Sequence, residues 1–352
     1  MVIPGRLSGQ PLLQPHWVCQ LPGRVAESSG LVYAGNGLFW THGDSGTPPV
    51  LYAFDSTGQL IDSIVIAPAS NTDWEALAAD SSGYLYIGDV GNNLNNRTDL
   101  SILKIWPDTS SDSAQPSVIS FHYPDQTHFP APGNFDCEAM FFWRDSLYLL
   151  SKNLLTGRTG YSKLYRLPAD PGNYTAELLD SFYTGFPVTG ADYDPVSNQL
   201  AVLCYGKLFW FRKVSGGKIL GGPFHEFLLP LSQSEAIAFA DSQRLYFTNE
   251  AGQMWRVHWP VISGKDAPES AAGKQARLVF CLGGTCHTVT VPLRPGEFPL
   301  QIEIYDASGR LLLSQPATRD LPVTVELNLL LQPAFFRLVT NRQNYGGHLP
   351  VP

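Results

Sequence analysis

Five stretches of this 352-residue chain set an oxygen-bearing side chain at the same point of a repeated pattern. They are "ESSGLVYAGNGLFWTHGDSG" from Glu27, "NTDWEALAADSSGYLYIGDVGNN" from Asn71, "DCEAMFFWRDSLYLLSKNL" from Asp136, "VTGADYDPVSNQLAVLCYGK" from Val188 and "SEAIAFADSQRLYFTNEAG" from Ser234. Aligned on the first apolar run, they bring Ser29, Glu75, Glu138, Thr189 and Glu235 into one column, each followed by Gly or Ala. Three carboxylates and two hydroxyls gathered together repel one another and lose hydration at high cost, so the column predicts a neutralising cation. All the donors are oxygens, with no His or Cys among them. That chemistry selects a hard ion, and Ca2+ before Mg2+ or Zn2+, because calcium tolerates many oxygens in irregular geometry. The alternative is a channel lining in which these side chains bond neighbouring backbone groups around water.

The far end of each pattern adds a second set of polar residues. His42, Asp44 and Asp89 are candidate catalytic residues: an imidazole beside a metal can act as general base toward a bound water, with Asp44 or Asp89 orienting it. The competing reading of His42 is a solvated loop histidine. Asn92, Asn93, Arg97, Lys152, Asn153, Arg158, Asn249 and Glu250 form the candidate ligand-binding set, with Tyr205 beside them. Arg97, Lys152, Arg158 and Lys207 are its cations, and they are few for an anion site. Asn is also an ordinary turn residue, so part of this set is structural. The chain has no nucleophile elbow, P-loop, His-Glu-x-x-His or zinc-spaced cysteine set, which argues against covalent Ser or Cys catalysis.

Each stretch reads as strand, turn, strand. A third strand follows every copy ("PVLYAFD", "LSILKIW", "SKLYRLP", "KLFWFRK", "GQMWRVHW"), and four copies have a fourth ("QLIDSIVI", "PSVISFHY", "AELLDSFY", "HEFLLPL"). A four-stranded unit repeated five times predicts an all-β, five-bladed β-propeller, with the first strand of each blade lining the central channel. Only the fifth copy lacks its outer strand. The N-terminal "QPHWVCQLP" alternates apolar and polar residues and is expected to supply it, closing the ring. Residues 1–261 are thus assigned to the propeller, and 262–276, small, polar and Pro-bearing, to a linker. Residues 277–352 hold further strand and hairpin patterns, enough for a small antiparallel β-sandwich with a loose tail, "RQNYGGHLPVP".

Composition agrees with short strands and tight turns: 15% of residues are charged, against 32 Gly and 28 Pro. The net charge of −8 argues against nucleic acid or an anionic membrane as partner. No run of about 18 apolar residues occurs, so no membrane span is expected. The first residues lack a signal-peptide pattern, so a secreted protein would have had its leader removed; the alternative is a cytosolic one. Cys281 and Cys286 flank "LGGT", where a hairpin sets them opposite each other as a disulfide candidate or as two reduced thiols. Cys19, Cys137 and Cys204 lie in apolar strands and read as core thiols.

The column resembles the calcium-activated nucleotidases, the secreted apyrases, which are five-bladed propellers holding a calcium ion on the axis in a Ser/Glu/Glu/Ser/Glu ring. Ser29, Glu75, Glu138, Thr189 and Glu235 match that ring, with Thr189 the one departure. "AESSGL", "LFWTHGDSG" with "LYAFD", and "DWEALAA" with "LYIGDVG" carry the likeness across residues 15–260. An early "E-S-G-L" is shared with the esterase-like phytase group. The resemblance implies one axial Ca2+ and hydrolysis of a phosphate ester or anhydride, with Arg97, Lys152 and Arg158 as anion clamps. "IEIYDASGRLLLSQ" and "VELNLLLQPAFFRLV" are similar to the C-terminal sorting domain of type IX secretion cargo in the Bacteroidetes. That likeness implies the secretion machinery as partner and a secreted or cell-surface location. Two other functions fit the same scaffold: a non-catalytic module gripping a small molecule, glycan or peptide beside a structural ion, and a lactonase or esterase.

Overall fold

A computed structural model describes residues 10–11, 13–25, 27–153, 160–212, 214, 219–221, 224–229 and 233–258, and seven strands between 275 and 349. No helix occurs among the described residues. The chain divides into two compact units: Pro15–His225 with Gln233–Trp259, which holds most of the propeller, and Met1–Gln14 with Glu226–Ser232 and Pro260–Pro352. The first fourteen residues thus group with the C-terminal strands and not with the propeller to which the sequence assigns them.

The five predicted blades are present. From the channel outwards, blade one runs Ser28–Gly35, Leu38–Gly43, Val50–Asp55, Leu60–Ile66, and blade two Trp74–Ala79, Leu85–Asp89, Ser101–Ile105, Ser117–His122. Blade three is Cys137–Trp143, Ser146–Ser151, Tyr161–Pro168 and Glu177–Tyr183, and blade four Val188–Asp194, Gln199–Cys204, Lys207–Arg212 and Phe224–Leu228. Blade five contributes Ser234–Asp241, Arg244–Asn249 and Gln253–His258, and the N-terminal strand His16–Gln20 completes it, with Trp17 opposite Trp255. Consecutive strands reverse tightly where residues accept positive φ, as at Asn36-Gly37 (52° and 79°) and Arg144-Asp145 (48° and 58°).

The apolar residues of the inner and middle strands fill the seams between blades rather than one central core. Trp40 and Leu51 of blade one meet Trp74 and Ile87 of blade two, and Tyr86 and Ile102 of blade two meet Met140 and Tyr165 of blade three. Cys19 and Leu21 seal the seam where Phe39 of blade one packs edge-on against Tyr246 of blade five, 4.9 Å between ring centres. Each fully buried Leu or Phe in such a seam stabilises by roughly 1.5–3 kcal/mol, and together they hold the inner strands in fixed register. Cys137 and Cys204 are buried as expected.

Two features escape the repeat. Ser113–Ala114 pairs in parallel with Leu60–Ile66 of the preceding blade, and Gly172–Thr175 does the same to Ser117–His122. Both cover an outer edge that would otherwise offer unpaired backbone groups.

The C-terminal strands form two sheets, one ordered Gln10–Pro11, Asn344–Leu349, Ala334–Thr340, Pro299–Asp306, Leu311–Pro316, the other Thr285–Pro292, Gln275–Leu282, Val323–Leu327. Two expectations change. The last ladder, Gln275–Leu282 with Val323–Leu327, is parallel, so this part is not purely antiparallel. The tail read as loose contains the strand Asn344–Leu349, paired on both sides; its Gly-Gly interrupts the apolar alternation on which the sequence reading relied. Cys281 and Cys286 are direct cross-strand partners in the backbone, and their side chains lie outside the described residues.

Candidate functional site

The aligned column is a column of β-bulges. In every blade the pairing of the innermost strand slips by one residue at the same place: between Ser28 and Gly30, Trp74 and Ala76, Cys137 and Ala139, Val188 and Gly190, and Ser234 and Ala236. The extra residues are Ser29, Glu75, Glu138, Thr189 and Glu235. A bulge leaves one residue out of the ladder and re-aims its side chain, and here it does so five times around one axis. Ser29, Glu75, Glu138 and Glu235 line the channel with the small residues that follow them. The Thr189 hydroxyl instead donates to the Ser234 carbonyl at 2.6 Å.

A second five-fold set lies over the first. The backbone N–H of Asp44, Val90, Lys152, Tyr205 and Glu250 donates to the carbonyl two residues before each bulge, on Glu27, Asp73, Asp136, Pro187 and Gln233, at 2.8–3.2 Å. These residues decide what each carboxylate meets. Lys152 Nζ binds Glu138 Oε1 at 2.6 Å, with both side chains largely buried. Tyr205 of blade four donates its hydroxyl to Glu235 of blade five at 2.7 Å. Asp44 of blade one stands toward Glu75 of blade two as Tyr205 does toward Glu235, but it brings another carboxylate. Asp73 joins them, and the ligand atoms of Asp44, Asp73 and Glu75 lie within 4.8 Å of one another. Among the described residues, Glu75 otherwise accepts the Ser29 hydroxyl, at 2.9 Å through Oε2.

Burial and mutual repulsion strain the ionisation of this cluster. Burial, reinforced by the charge of Glu138 and then Asp44, holds the Glu75 carboxyl well above the usual carboxylate range. Asp73 is pushed up to about 6 by burial and by Asp136 and Asp44. Asp136 is also raised by burial, despite accepting the Asn92 N–H at 2.6 Å. Burial works against the Lys152 charge, but Glu138 beside it prevails and keeps the ammonium above its ordinary range. Asp73 and Asp136 belong to neither of the two residue sets to which the sequence points. Their signal is the spacing Asp-x-Glu, present in "TDWEAL" and "FDCEAM" and absent from the other three copies.

The other sequence candidates separate by what they touch. His42 is fully enclosed: Nδ1 lies 3.0 Å from the Gly43 carbonyl and the ring stands edge-on to Trp74 at 5.6 Å. Burial lowers its pKa, and its Nε2 faces the Gly30 backbone rather than the mouth. The imidazole is therefore not placed to act as the mouth's base. Asp89 accepts the Asp73 N–H and is ion-paired to Arg97 at 2.9 Å; Arg97 also binds Asp99 and the Gly91 carbonyl. Asn92 organises its own loop, accepting the N–H groups of Asn96 and Arg97, while Asn93 is exposed. Asn153 is buried at positive φ and Asn249 brackets Gln253, both of them turn roles. Glu250 is exposed and bound by Gln233. Arg158 lies outside the described residues.

No family model and no curated protein matches the chain. Among solved structures it is similar to the PQQ-bound form of an aldose sugar dehydrogenase from Streptomyces coelicolor, at 10% identity and a TM-score of 0.43, covering 70% of this chain and 99% of that one. A putative glucose dehydrogenase from Thermus thermophilus gives 12% identity and a TM-score of 0.42 over 70% and 99% of the two chains. A protein of unknown function from Bacteroides thetaiotaomicron gives 7% and 0.39 over 69% and 75%. Likeness at this level assigns neither a family nor an activity.

Proposed function

We propose that this protein is a cation-dependent binding propeller, whose mouth holds a divalent hard ion between blades one and two and takes an uncharged, oxygen-rich ligand such as a sugar. The observation that carries it is the group Asp44, Asp73 and Glu75: three carboxylates brought together with no ammonium or guanidinium bonded to them among the described residues. Glu138 has Lys152 and Glu235 has Tyr205, so an ion centred on all five column residues is less well supported than one displaced toward Glu75. The all-oxygen donor set favours Ca2+. Bound there, such an ion supplies fixed positive charge and coordination positions that hydroxyl or carbonyl oxygens can fill.

A phosphate ester or anhydride fits less well, because Arg97 and Lys152 are already engaged by carboxylates inside the protein. Hydrolysis of a lactone or ester at the same ion is the second reading, favoured by Asp136 beside the cluster, whose carboxyl burial holds above its ordinary range. A secreted or cell-surface location belongs to the proposal; the sorting-domain resemblance and the cross-strand pairing of Cys281 with Cys286 support it.

The test is thermal unfolding after chelation and after readdition of Ca2+ or Mg2+, on the wild type and on Asp73→Asn. Ca2+ is expected to raise the Tm of the wild type and to act much less on the variant. An equal response in both, or none in either, overturns the site. Screening sugars, nucleotides, phytate and lactones with the Ca2+-loaded protein then separates binding from hydrolysis.

A further inference from the structure

The same five strands that carry the bulges end in a second cavity of about 600 Å3 at the opposite end of the channel, within the size range of small-molecule sites. Four residues beyond the bulge column stand Tyr33, Ala79, Phe142, Tyr193 and Phe239, four aromatics in five positions. At roughly 3.3 Å per residue, they lie about 13 Å along the strands from the carboxylates. All five line the cavity.

One residue earlier the column reads Val32, Ala78, Phe141, Asp192, Ala238. The four apolar members are buried between blades, and Asp192 is the exception. Its Oδ2 accepts the Phe239 N–H at 2.7 Å and its Oδ1 the Tyr193 N–H at 2.8 Å. Those two bonds occupy about half of a carboxylate's acceptor sites, and they tie blade four to blade five. They do not supply a counter-charge. Burial pushes the Asp192 carboxyl up to about 7, and the charge bearing on it is that of another acid, Asp194. Four acidic residues, Asp80, Asp145, Asp192 and Asp194, line the cavity with one guanidinium residue, Arg144; Asp80 and Asp194 also accept hydrogen bonds from neutral groups of their own turns, which leaves their charge in place. That guanidinium lies over the Trp143 ring, 4.6 Å from its centre, so the rim already accepts a cation on an aromatic face.

We propose that this cavity is a binding site for an organic cation, an ammonium group on a small apolar or aromatic body, with the charge directed at Asp192 and the body against Tyr33, Phe142 and Tyr193. A cation is favoured by both parts of the lining, the excess of carboxylates and the negative faces of the rings. A neutral sugar would gain contact with the rings and leave the excess charge uncompensated. The site is independent of the ion at the other mouth.

Isothermal titration with phenethylammonium, and with phenethyl alcohol as its uncharged counterpart, tests the assignment. The ammonium is expected to bind saturably in the millimolar range or tighter, and the alcohol about tenfold more weakly. Asp192→Asn keeps the shape and removes the charge, and is expected to lower ammonium affinity about tenfold. Because Asp192 also bridges two blades, Tyr33→Leu serves as a second variant, removing a ring face on a single blade; it is expected to weaken the ammonium severalfold. Chelating divalent ions is expected to leave all these values unchanged. Equal affinity for alcohol and ammonium, undiminished binding in both variants, preferential binding of a hexose, or no binding at millimolar ammonium would each overturn the proposal.

Discussion

At the scale of single residues, Lys152 changes meaning most between sequence and structure. The sequence offers it as a clamp for a ligand anion; the structure shows it neutralising Glu138 from within the same blade, at 2.6 Å. It meets, for one carboxylate, the need that the sequence reading assigned to a metal ion. Removing one partner of such a buried pair leaves the other charge uncompensated, which costs about 3–5 kcal/mol. Lys152→Met is therefore expected to lower stability by about 3 kcal/mol in urea denaturation at neutral pH. The sign with pH follows: burial already holds the Glu138 carboxyl above its ordinary range although Lys152 pulls it down, and without Lys152 its folded pKa stands higher still. Its native state binds the proton more tightly, so the deficit should shrink as pH falls from 7 toward 5. A deficit that stayed constant or grew over that range would mean that Glu138 is not the group left unpaired.

At the scale of elements, the bulge determines which residues meet. Five-fold recurrence of strand, turn and strand was legible because turn residues and apolar alternation are local properties, and the closing strand His16–Gln20 was legible because one copy lacked an outer strand. Ser29, Glu75, Glu138, Thr189 and Glu235 were aligned correctly for the same reason. Their common slip in register was not legible, since a bulge shows itself only against a partner strand. Nor were the roles of Asp44, Lys152 and Tyr205, because those depend on which blade each residue reaches: Lys152 turns to its own blade and Tyr205 to the next. His42 looked like a mouth residue by its place in the loop motif, yet its side chain packs behind the strand against Gly30. That packing supplies a contrast between two equivalent positions. A Cβ on Gly30 would fall 2.5 Å from His42 Nε2 and 2.9 Å from the Leu77 backbone nitrogen, whereas on Gly190 the nearest atom is Ile237 Cγ2 at 3.1 Å. Gly30→Ala is expected to cost about 1–3 kcal/mol through forced shifts of the neighbouring strand, and Gly190→Ala clearly less. Equal costs by chemical denaturation would show that the seams between blades one and two and between four and five are equally tight.

At the scale of the whole molecule, the propeller concentrates ionisable groups at the two ends of its channel and apolar side chains in the seams between. Such a distribution makes stability depend on pH through groups that are far apart. Burial raises Glu235, at one end, to about 7, although Tyr205 and Lys152 pull it down; burial raises Asp192, at the other end, to about 7 as well. In the unfolded chain both carboxyls titrate near 4. Between those values the native state holds protons that the unfolded chain has lost, so the contribution of each group to stability falls as pH rises and levels off above about 7. Each costs up to about 1.4 kcal/mol per pH unit inside that window. His42 and His225, both lowered by burial, act in the opposite sense, because the unfolded imidazoles take up protons below about 6.5 and favour unfolding there. A comparison that leaves the histidines in place removes their effect. Urea denaturation in a chelator from about pH 5.5 to 8 is expected to show the wild type losing more stability with rising pH than the double variant Asp192→Asn with Glu235→Gln. Parallel profiles would mean that neither carboxyl carries its proton in the folded protein. The two single variants assign the slope to one end of the channel or the other: a change confined to Glu235→Gln locates the retained proton beside Tyr205, and one confined to Asp192→Asn locates it in the aromatic cavity.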